Sequence, residues 1–422
     1  MFASHQLSCS ILSSQSLSAR PTLSHLRYLF SAMAPRWSIP LVAGLAAPFG
    51  LYISFILLGS IPLFQRHFLY AHKINTLFWH DLDKPEYWGF ARNQVTPFSI
   101  QTSDGENLYA WHVLPLQAYL ENEDKLQAQP AGFAQDVTAT ESFRMLREDP
   151  EARLVVYFHG NAGHVAQAIR PDSYHALTDN SNTHVLAIDY RGFGKSTGIP
   201  SEAGLINDGA AAVDWAMKVA QVPASQIVII GQSLGTAVTS GVAEHFALQG
   251  VEFAGVIMVA SFSNLPELLS RYSAAGLIPV LSPVRAIPPL LRFFQGFVVE
   301  EWKSDERLAT LVGLTRNRLR LTLIHAKNDV EIPCTESDVL FRSAAGAAIG
   351  TSLDDEDFGK WKEERTALRD DGTFVTVVES SQPDIVIREE LVPYGGHNDV
   401  MMSSPVLLAV MRSFGLDSKQ AS

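Results

Sequence analysis

Gly231-Gln232-Ser233-Leu234-Gly235 joins a strand-like run to a helix-like one, and few folds accept such a junction. Before it, Ile227-Val228-Ile229-Ile230 is short, apolar and rich in β-branched residues, which predicts a strand buried on both faces of a parallel sheet. After it come small residues, mainly Ala, Val, Thr and Ser, as a closely packed helix requires. A serine at the centre of G-x-S-x-G between strand and helix is the signature of a nucleophile elbow. Glycine on both flanks fits that reading, because a side chain at 231 or 235 would collide with neighbouring backbone and push Ser233 out of reach. The competing reading is a glycine-rich turn with a capping serine; the strand and helix on either side favour the nucleophile.

A serine hydroxyl attacks efficiently only when a base removes its proton and a third group orients that base. Leu319 to Ala326 reads as another buried strand, and the turn Lys327-Asn328-Asp329-Val330-Glu331-Ile332-Pro333 presents Asp329 as the acid, with Glu331 as the alternative. Gly395-Gly396-His397-Asn398-Asp399 lies just before the last helical stretch, Pro405 to Phe414, which makes His397 the candidate base among 13 histidines. The order Ser233, Asp329, His397 is that of α/β-hydrolases and differs from the chymotrypsin and subtilisin orders.

The oxyanion of an acyl-transfer intermediate needs two preorganised backbone donors. Leu234, next after the nucleophile, is one candidate. The strand Arg153 to Phe158 runs into His159-Gly160-Asn161-Ala162-Gly163, where the Asn161 N–H is the second. In Asp189-Tyr190-Arg191-Gly192-Phe193-Gly194-Lys195-Ser196, the aspartate and arginine read as braces for loops around the site.

From about residue 93 to 415 the chain resembles an α/β-hydrolase-fold serine hydrolase. The closer resemblance is to the membrane-anchored lysophosphatidylserine lipase and monoacylglycerol lipase branch. It is carried by His159-Gly160-Asn161-Ala162-Gly163, Asp189-Tyr190-Arg191-Gly192, Pro200-Ser201-Glu202 and Ser233-Leu234-Gly235-Thr236. It implies an α/β fold with a mostly parallel central sheet flanked by helices, a helical lid and an N-terminal transmembrane helix. It further implies cleavage of a monoacylglycerol or lysophospholipid ester, with Ser233, Asp329 and His397 matching the family triad. Two departures stand out: Gln232, where animal members usually carry histidine, and a charged insertion of roughly residues 350–371. Thioesterase, amidase and acyltransferase chemistry use the same triad, and a non-catalytic receptor or scaffold is the alternative of a different kind. A dehalogenase is disfavoured because it needs a carboxylate at the elbow.

At 422 residues with 47% hydrophobic content, the chain has material for one large catalytic domain with additions. Its two cysteines, Cys9 and Cys334, lie in a serine-rich tail and beside the acid loop, so a structural disulfide is not expected. No metal or cofactor site is suggested. The net charge of -12 argues against nucleic acid as a partner. Oligomeric state has no signature here.

No charged residue occurs between Arg36 and Arg66, and the apolar span 39–64 exceeds the 20 or so residues that cross a bilayer, although Pro40, Pro48 and Pro62 interrupt it. It predicts a single-pass anchor following a tail of residues 1–38, with a kink at Pro48. Arg20, Arg27 and Arg36 precede the span and no acid appears before Asp81, which favours a cytosolic tail and a catalytic domain in the endoplasmic reticulum lumen. The alternative is mitochondrial, since the tail is serine-rich and acid-free and Met33 is a second candidate start.

Residues 65–92 read as a juxtamembrane segment whose Phe78, Trp79, Tyr87 and Trp88 suit a membrane interface. The hydrolase domain is expected over 93–417. Within it, Thr96 to Pro115 turns around Ser103-Asp104-Gly105 as a hairpin, Lys125 to Pro150 reads as a polar surface loop or a partly disordered insertion, and 262–316 reads as an apolar, proline-broken lid. Arg271, Arg285 and Arg292 in the lid are read as lying along apolar surface with their heads in water, in preference to binding a phosphate head group.

Overall fold

The computed structural model describes residues 38–75, 79–179, 182–274, 278–350 and 355–416. The chain divides into two compact units, residues 1–57 and 58–422. The tail up to Trp37, with Cys9 and Met33, and the aromatic Phe78 lie outside the described residues.

The larger unit is built on a ten-stranded sheet among the described residues. Its strands are β1 (Val95–Gln101), β2 (Asn107–Val113), β3 (Arg153–Phe158), β4 (Thr183–Ile188), β5 (Ile227–Gln232) and β6 (Gly255–Val259). A separate small hairpin, β7 (Ser273–Ala274) with β8 (Ile278–Pro279), interrupts the series. It resumes with β9 (Arg318–Ala326), β10 (Thr366–Leu368), β11 (Phe374–Ser381) and β12 (Asp384–Val392). The order across the sheet is β1-β2-β4-β3-β5-β6-β9-β12-β11-β10. The middle, from β4 to β12, is parallel throughout, and antiparallel pairs close both edges.

Side-chain alternation explains why the central strands are apolar at every position. On β3, Leu154, Val156 and Phe158 face one core, and Val155 and Tyr157 face the other. On β5, Ile227 and Ile229 point to the first core, Val228 and Ile230 to the second. Helices Glu202–Asp214, Leu234–Ala247, Ser304–Leu314 and Thr335–Ile349 cover the first face, through residues such as Leu205, Val238, Leu308 and Leu340. Arg170–Thr178 and Ser404–Ser413 cover the second, through Tyr174, Leu177, Val406 and Val410. Each such side chain removed from water contributes about 1.5–3 kcal/mol, so a sheet buried on both faces supplies the main stabilisation.

The hairpin expected around Ser103-Asp104-Gly105 is present as β1 and β2, which pair in register from Val95 with Val113 to Gln101 with Asn107. Lys125 to Pro150 corrects the expectation of a structureless loop. Thr140 caps the helix Glu141–Glu148 by accepting from the Phe143 N–H, and Val137, Phe143 and Leu146 reach the core. Three apolar residues spread over ten positions leave little trace in composition, yet they suffice to pin the segment. In the charged stretch between acid and base, helix Asp355–Glu363 leads into β10 and β11, which extend the sheet beyond β12.

The segment read as a lid is shorter than expected. Helix Ser304–Leu314 packs into the core through Leu308, Leu311 and Val312, so the cap segment ends before it. Glu202 holds that end, accepting from the Trp302 N–H at 2.9 Å and pairing with Arg307 at 2.5 Å. Arg271 also departs from expectation, since its guanidinium lies 3.5 Å from the buried Glu336 carboxylate. Trp88 is drawn into the core, edge-on to Trp111 with ring centroids 5.5 Å apart, whereas Trp79 and Tyr87 are exposed.

In the N-terminal region the expected apolar helix runs from Ser38 to Gly59 and continues through Pro48. The chain then breaks at Ser60-Ile61, and Pro62 opens a second helix, Pro62–Tyr70. Among the described residues no single helix is long and apolar enough to cross a membrane; Ala46–Gly59 and Pro62–Tyr70, a pair bent at its break, meet the length and composition together.

Candidate active site

Strand β5 delivers Ser233 to the C-terminal edge of the sheet, and the turn into helix Leu234–Ala247 holds it at φ 54° and ψ −122°, backbone space that side-chain-bearing residues seldom occupy. The glycines make that turn possible. A Cβ on Gly231 would overlap the Gly235 carbonyl, and one on Gly235 would overlap the Phe158 carbonyl of the neighbouring strand. The Ser233 N–H donates to the Val259 carbonyl at 3.0 Å, tying the elbow to β6.

Two loops bring partners to this serine. The loop after β12 places His397 Nε2 2.9 Å from Ser233 Oγ, and the loop after β9 places Asp329 Oδ2 2.8 Å from His397 Nδ1. An acceptor at Nδ1 and a hydroxyl at Nε2 put the imidazole proton on Nδ1 and leave Nε2 free to take the serine proton. Asp329 is buried, and its Oδ1 accepts the N–H groups of Glu331 at 2.9 Å and Ile332 at 3.0 Å. Glu331, the alternative acid, therefore contributes its backbone to Asp329. Burial pushes the Asp329 carboxyl up, but hydrogen bonds from His325 and His397 outweigh it and hold the group well below the usual carboxylate range.

The turn after β3 lies against the elbow. A Cβ on Gly160 would stand 2.6 Å from Gln232 Oε1 and 3.3 Å from Ser233 Cβ, so glycine alone permits that approach. Buried Arg170 gathers the turn from behind, donating to the carbonyls of Gly160 at 3.1 Å, Asn161 at 3.0 Å, Ala162 at 2.9 Å and His164 at 2.6 Å. Two of the turn's N–H groups are also engaged, Ala162 donating to the Tyr70 carbonyl at 2.9 Å and Gly163 to the Ile74 carbonyl at 3.0 Å. Leu234 is the first residue of its helix, where an N–H has no intrahelical acceptor.

Asp189 and Arg191 brace loops, as the sequence reading expects. Asp189 Oδ1 accepts from the Val165 N–H at 2.6 Å, and Arg191 joins Asp208 to Asp104 of the β1–β2 turn. Three residues near the site escaped sequence reasoning: His325, Arg170 and Gln232 in its bridging role. For His325 the available signal was its spacing, four residues before the acid at the end of the same strand. Among the described residues no group of three or more His, Cys, Asp or Glu converges as a metal site would.

A model of the alpha/beta hydrolase family matches residues 155–410, which run from β3 to the last helix and include every residue of this constellation. The chain belongs to the alpha/beta hydrolase family. It is similar to the lysophosphatidylserine lipase ABHD12 of Danio rerio, 25% identical over 297 residues that cover 70% of each chain. It is likewise similar to the protein ABHD12B of Homo sapiens, 27% identical over 290 residues covering 68% of this chain and 71% of that one. Among solved structures, the Pyrococcus furiosus esterase Pf2001 aligns with a TM-score of 0.45 at 14% identity, covering 81% of this chain and 93% of the esterase. The hydrolase described here is a serine hydrolase of the esterase type.

Proposed function

We propose that this hydrolase is membrane-anchored and cleaves carboxylic esters of lipids, monoacylglycerols or lysophospholipids, through a Ser233-His397-Asp329 triad and an acyl-enzyme. The continuous hydrogen-bonded line from Ser233 Oγ through His397 to Asp329 is the observation that carries it.

In this reading, Ser233 Oγ attacks the ester carbonyl carbon while His397 Nε2 takes the hydroxyl proton. The carbonyl oxygen becomes an oxyanion held by the N–H groups of Leu234 and Asn161, each donor contributing about a hundred- to a thousandfold in turnover. Collapse of the tetrahedral intermediate breaks the bond to the alkoxy oxygen, which leaves as the alcohol with the proton from His397. Water, deprotonated by the same imidazole, then attacks the acyl-serine and releases the fatty acid. Asp329 stays ionised throughout and stabilises the imidazolium formed in each half.

Two features support a lipid as substrate. The cap segment between β6 and helix Ser304–Leu314 presents Ile287, Phe293, Phe297 and Val299 at its surface, and the ABHD12 relatives are named as lysophosphatidylserine lipases. The apolar helix Ser38–Gly59, with its following helix, supports the anchor, and Arg20, Arg27 and Arg36 before the span support a lumenal catalytic domain in the endoplasmic reticulum.

The test is hydrolysis of a panel of monoacylglycerols, lysophospholipids, thioesters and anilides by the full chain in membranes. Turnover of the lipid esters, abolished in Ser233→Ala, is the expected result. Selective turnover of thioesters or anilides would replace the substrate class and leave the triad standing.

A further inference from the structure

His325 lies at the end of β9 and is almost completely buried, and it meets the same Asp329 oxygen as His397 does. Its Nε2 lies 3.2 Å from Asp329 Oδ2 and 3.0 Å from the Ile332 carbonyl. Both partners are acceptors, so Nε2 carries a proton and donates to them. Its Nδ1 lies 2.8 Å from Ser337 Oγ, which also meets Ser261 Oγ at 3.1 Å. A neutral imidazole protonated at Nε2 accepts there from the serine hydroxyl, so the ring is held at both ends and its tautomer is set.

The consequence falls on Asp329. Two backbone N–H groups reach Oδ1, while His397 and His325 share Oδ2, so the carboxylate receives four donors and has no freedom to rotate. Without His325, the oxygen that faces the base would keep one donor, and a buried carboxylate would lose a charge-assisted hydrogen bond. A catalytic base depends on its orienting group for both direction and tautomer.

We propose that His325 is a positioning residue for ester hydrolysis: its Nε2–H holds the Asp329 carboxylate in the rotamer that orients His397. This rests on the reading of Asp329 as the acid of the triad. His325 makes no hydrogen bond to Ser233 or His397, so its link to the pair runs through Asp329. Its bonds to Ile332 and Ser337 also allow a competing role, that of a fold brace between β9 and helix Thr335–Ile349.

A substitution set separates the two roles, read by steady-state ester hydrolysis and by the rate of Ser233 labelling with a fluorophosphonate. His325→Leu is expected to lower kcat about ten- to a hundredfold, the span of one hydrogen bond to a charged group, with KM within about twofold. His325→Gln, whose amide nitrogen reaches the position of Nε2, is expected to restore most of that loss. His325→Asn, long enough for Ser337 but too short for Asp329, is expected to restore little. Combined with Asp329→Asn, His325→Leu should cost less than about twofold further, because the group it positions is gone.

The proposal is overturned if His325→Leu costs the same factor in both backgrounds, or if the Gln and Asn variants are equally active. That Gln and Asn comparison decides the matter even where the leucine variant does not fold. Full activity of Asp329→Asn alone would instead overturn the assignment of the acid, a separate and recognisable failure.

Discussion

Gln232 Nε2 donates to the His397 carbonyl oxygen at 2.9 Å, so the residue before Ser233 holds the loop that carries His397. The same amide nitrogen lies 3.4 Å from Asn398 Oδ1, and its oxygen faces Gly160 across the elbow. One side chain thus spans the turn after β3 and the loop after β12. Gln232→Leu keeps the bulk and removes the donor. Loss of one ordinary hydrogen bond predicts a fall in kcat of about two- to tenfold, with labelling of Ser233 slowed to the same extent. Comparison of kcat and labelling rate in the two proteins checks this, and unchanged rates would leave the His397 loop positioned by other contacts.

Gly160→Ala should act on the same junction from the opposite side. The added methyl would meet Gln232 Oε1 at 2.6 Å and Ser233 Cβ at 3.3 Å, so either the glutamine or the turn must shift. A displacement of that size in the turn beside Ser233 predicts a loss of at least tenfold in kcat, with the protein still folded by circular dichroism.

Arg170 is the residue whose removal should harm stability and catalysis together. Its guanidinium is buried, which lowers its pKa, and it satisfies four carbonyls of the turn. Arg170→Met removes the donor from the Asn161 and Ala162 carbonyls, while the His164 carbonyl keeps the Gln167 N–H and the Gly160 carbonyl keeps His159 Nδ1, at a cost of about 1–3 kcal/mol for each carbonyl left unpaired, before relaxation and hydration. Chemical denaturation should show a loss of about 3 kcal/mol or more, and kcat should fall further than in Gln232→Leu because the turn after β3 is itself released. Lysine at 170 supplies charge without the planar fork and should rescue little.

Asp189 makes a prediction about pH. Burial pushes its carboxyl up to about 7 despite the hydrogen bonds from the Val165 and Lys195 N–H groups. In the unfolded chain an aspartate titrates near 3.9, so between about pH 4 and 7 the native state holds a proton that the unfolded state does not. Stability from this group is therefore fully present below about pH 4 and is lost as pH rises toward 7. Asp189→Asn removes the titration, and the stability difference between the two proteins should change across that window by up to about 4 kcal/mol. Urea denaturation at several pH values measures it, and parallel curves would mean that Asp189 titrates normally.

The legible parts of this molecule were those written in short-range pattern. The apolar run before Ser233, the flanking glycines, the hairpin at Ser103-Asp104-Gly105 and the strand ending at Ala326 each depend on neighbours in sequence. Chain order then named Asp329 and His397, and the structure brings both within hydrogen-bond distance along one line to the serine. Contacts between remote segments were not legible. Nothing near Arg170 announces that it will bind the carbonyls of the turn after β3, and nothing near His325 says that the chain will fold Asp329 back upon it. The proline-rich stretch after β6 hid the point at which the cap ends, because apolar residues continue through Leu308, Leu311 and Val312 and only their packing against the core distinguishes that helix from the cap. Pro62 marks an interruption of the apolar span, but apolar residues on both sides of it conceal that one helix ends at Gly59 and a second begins.

The central claim is that Ser233 is activated by His397, and the most direct measurement is the rate of fluorophosphonate labelling in the full chain. Mass spectrometry should place the adduct on Ser233, with labelling absent in Ser233→Ala and slowed by several orders of magnitude in His397→Ala. An adduct on another residue, or undiminished labelling without His397, would contradict the account.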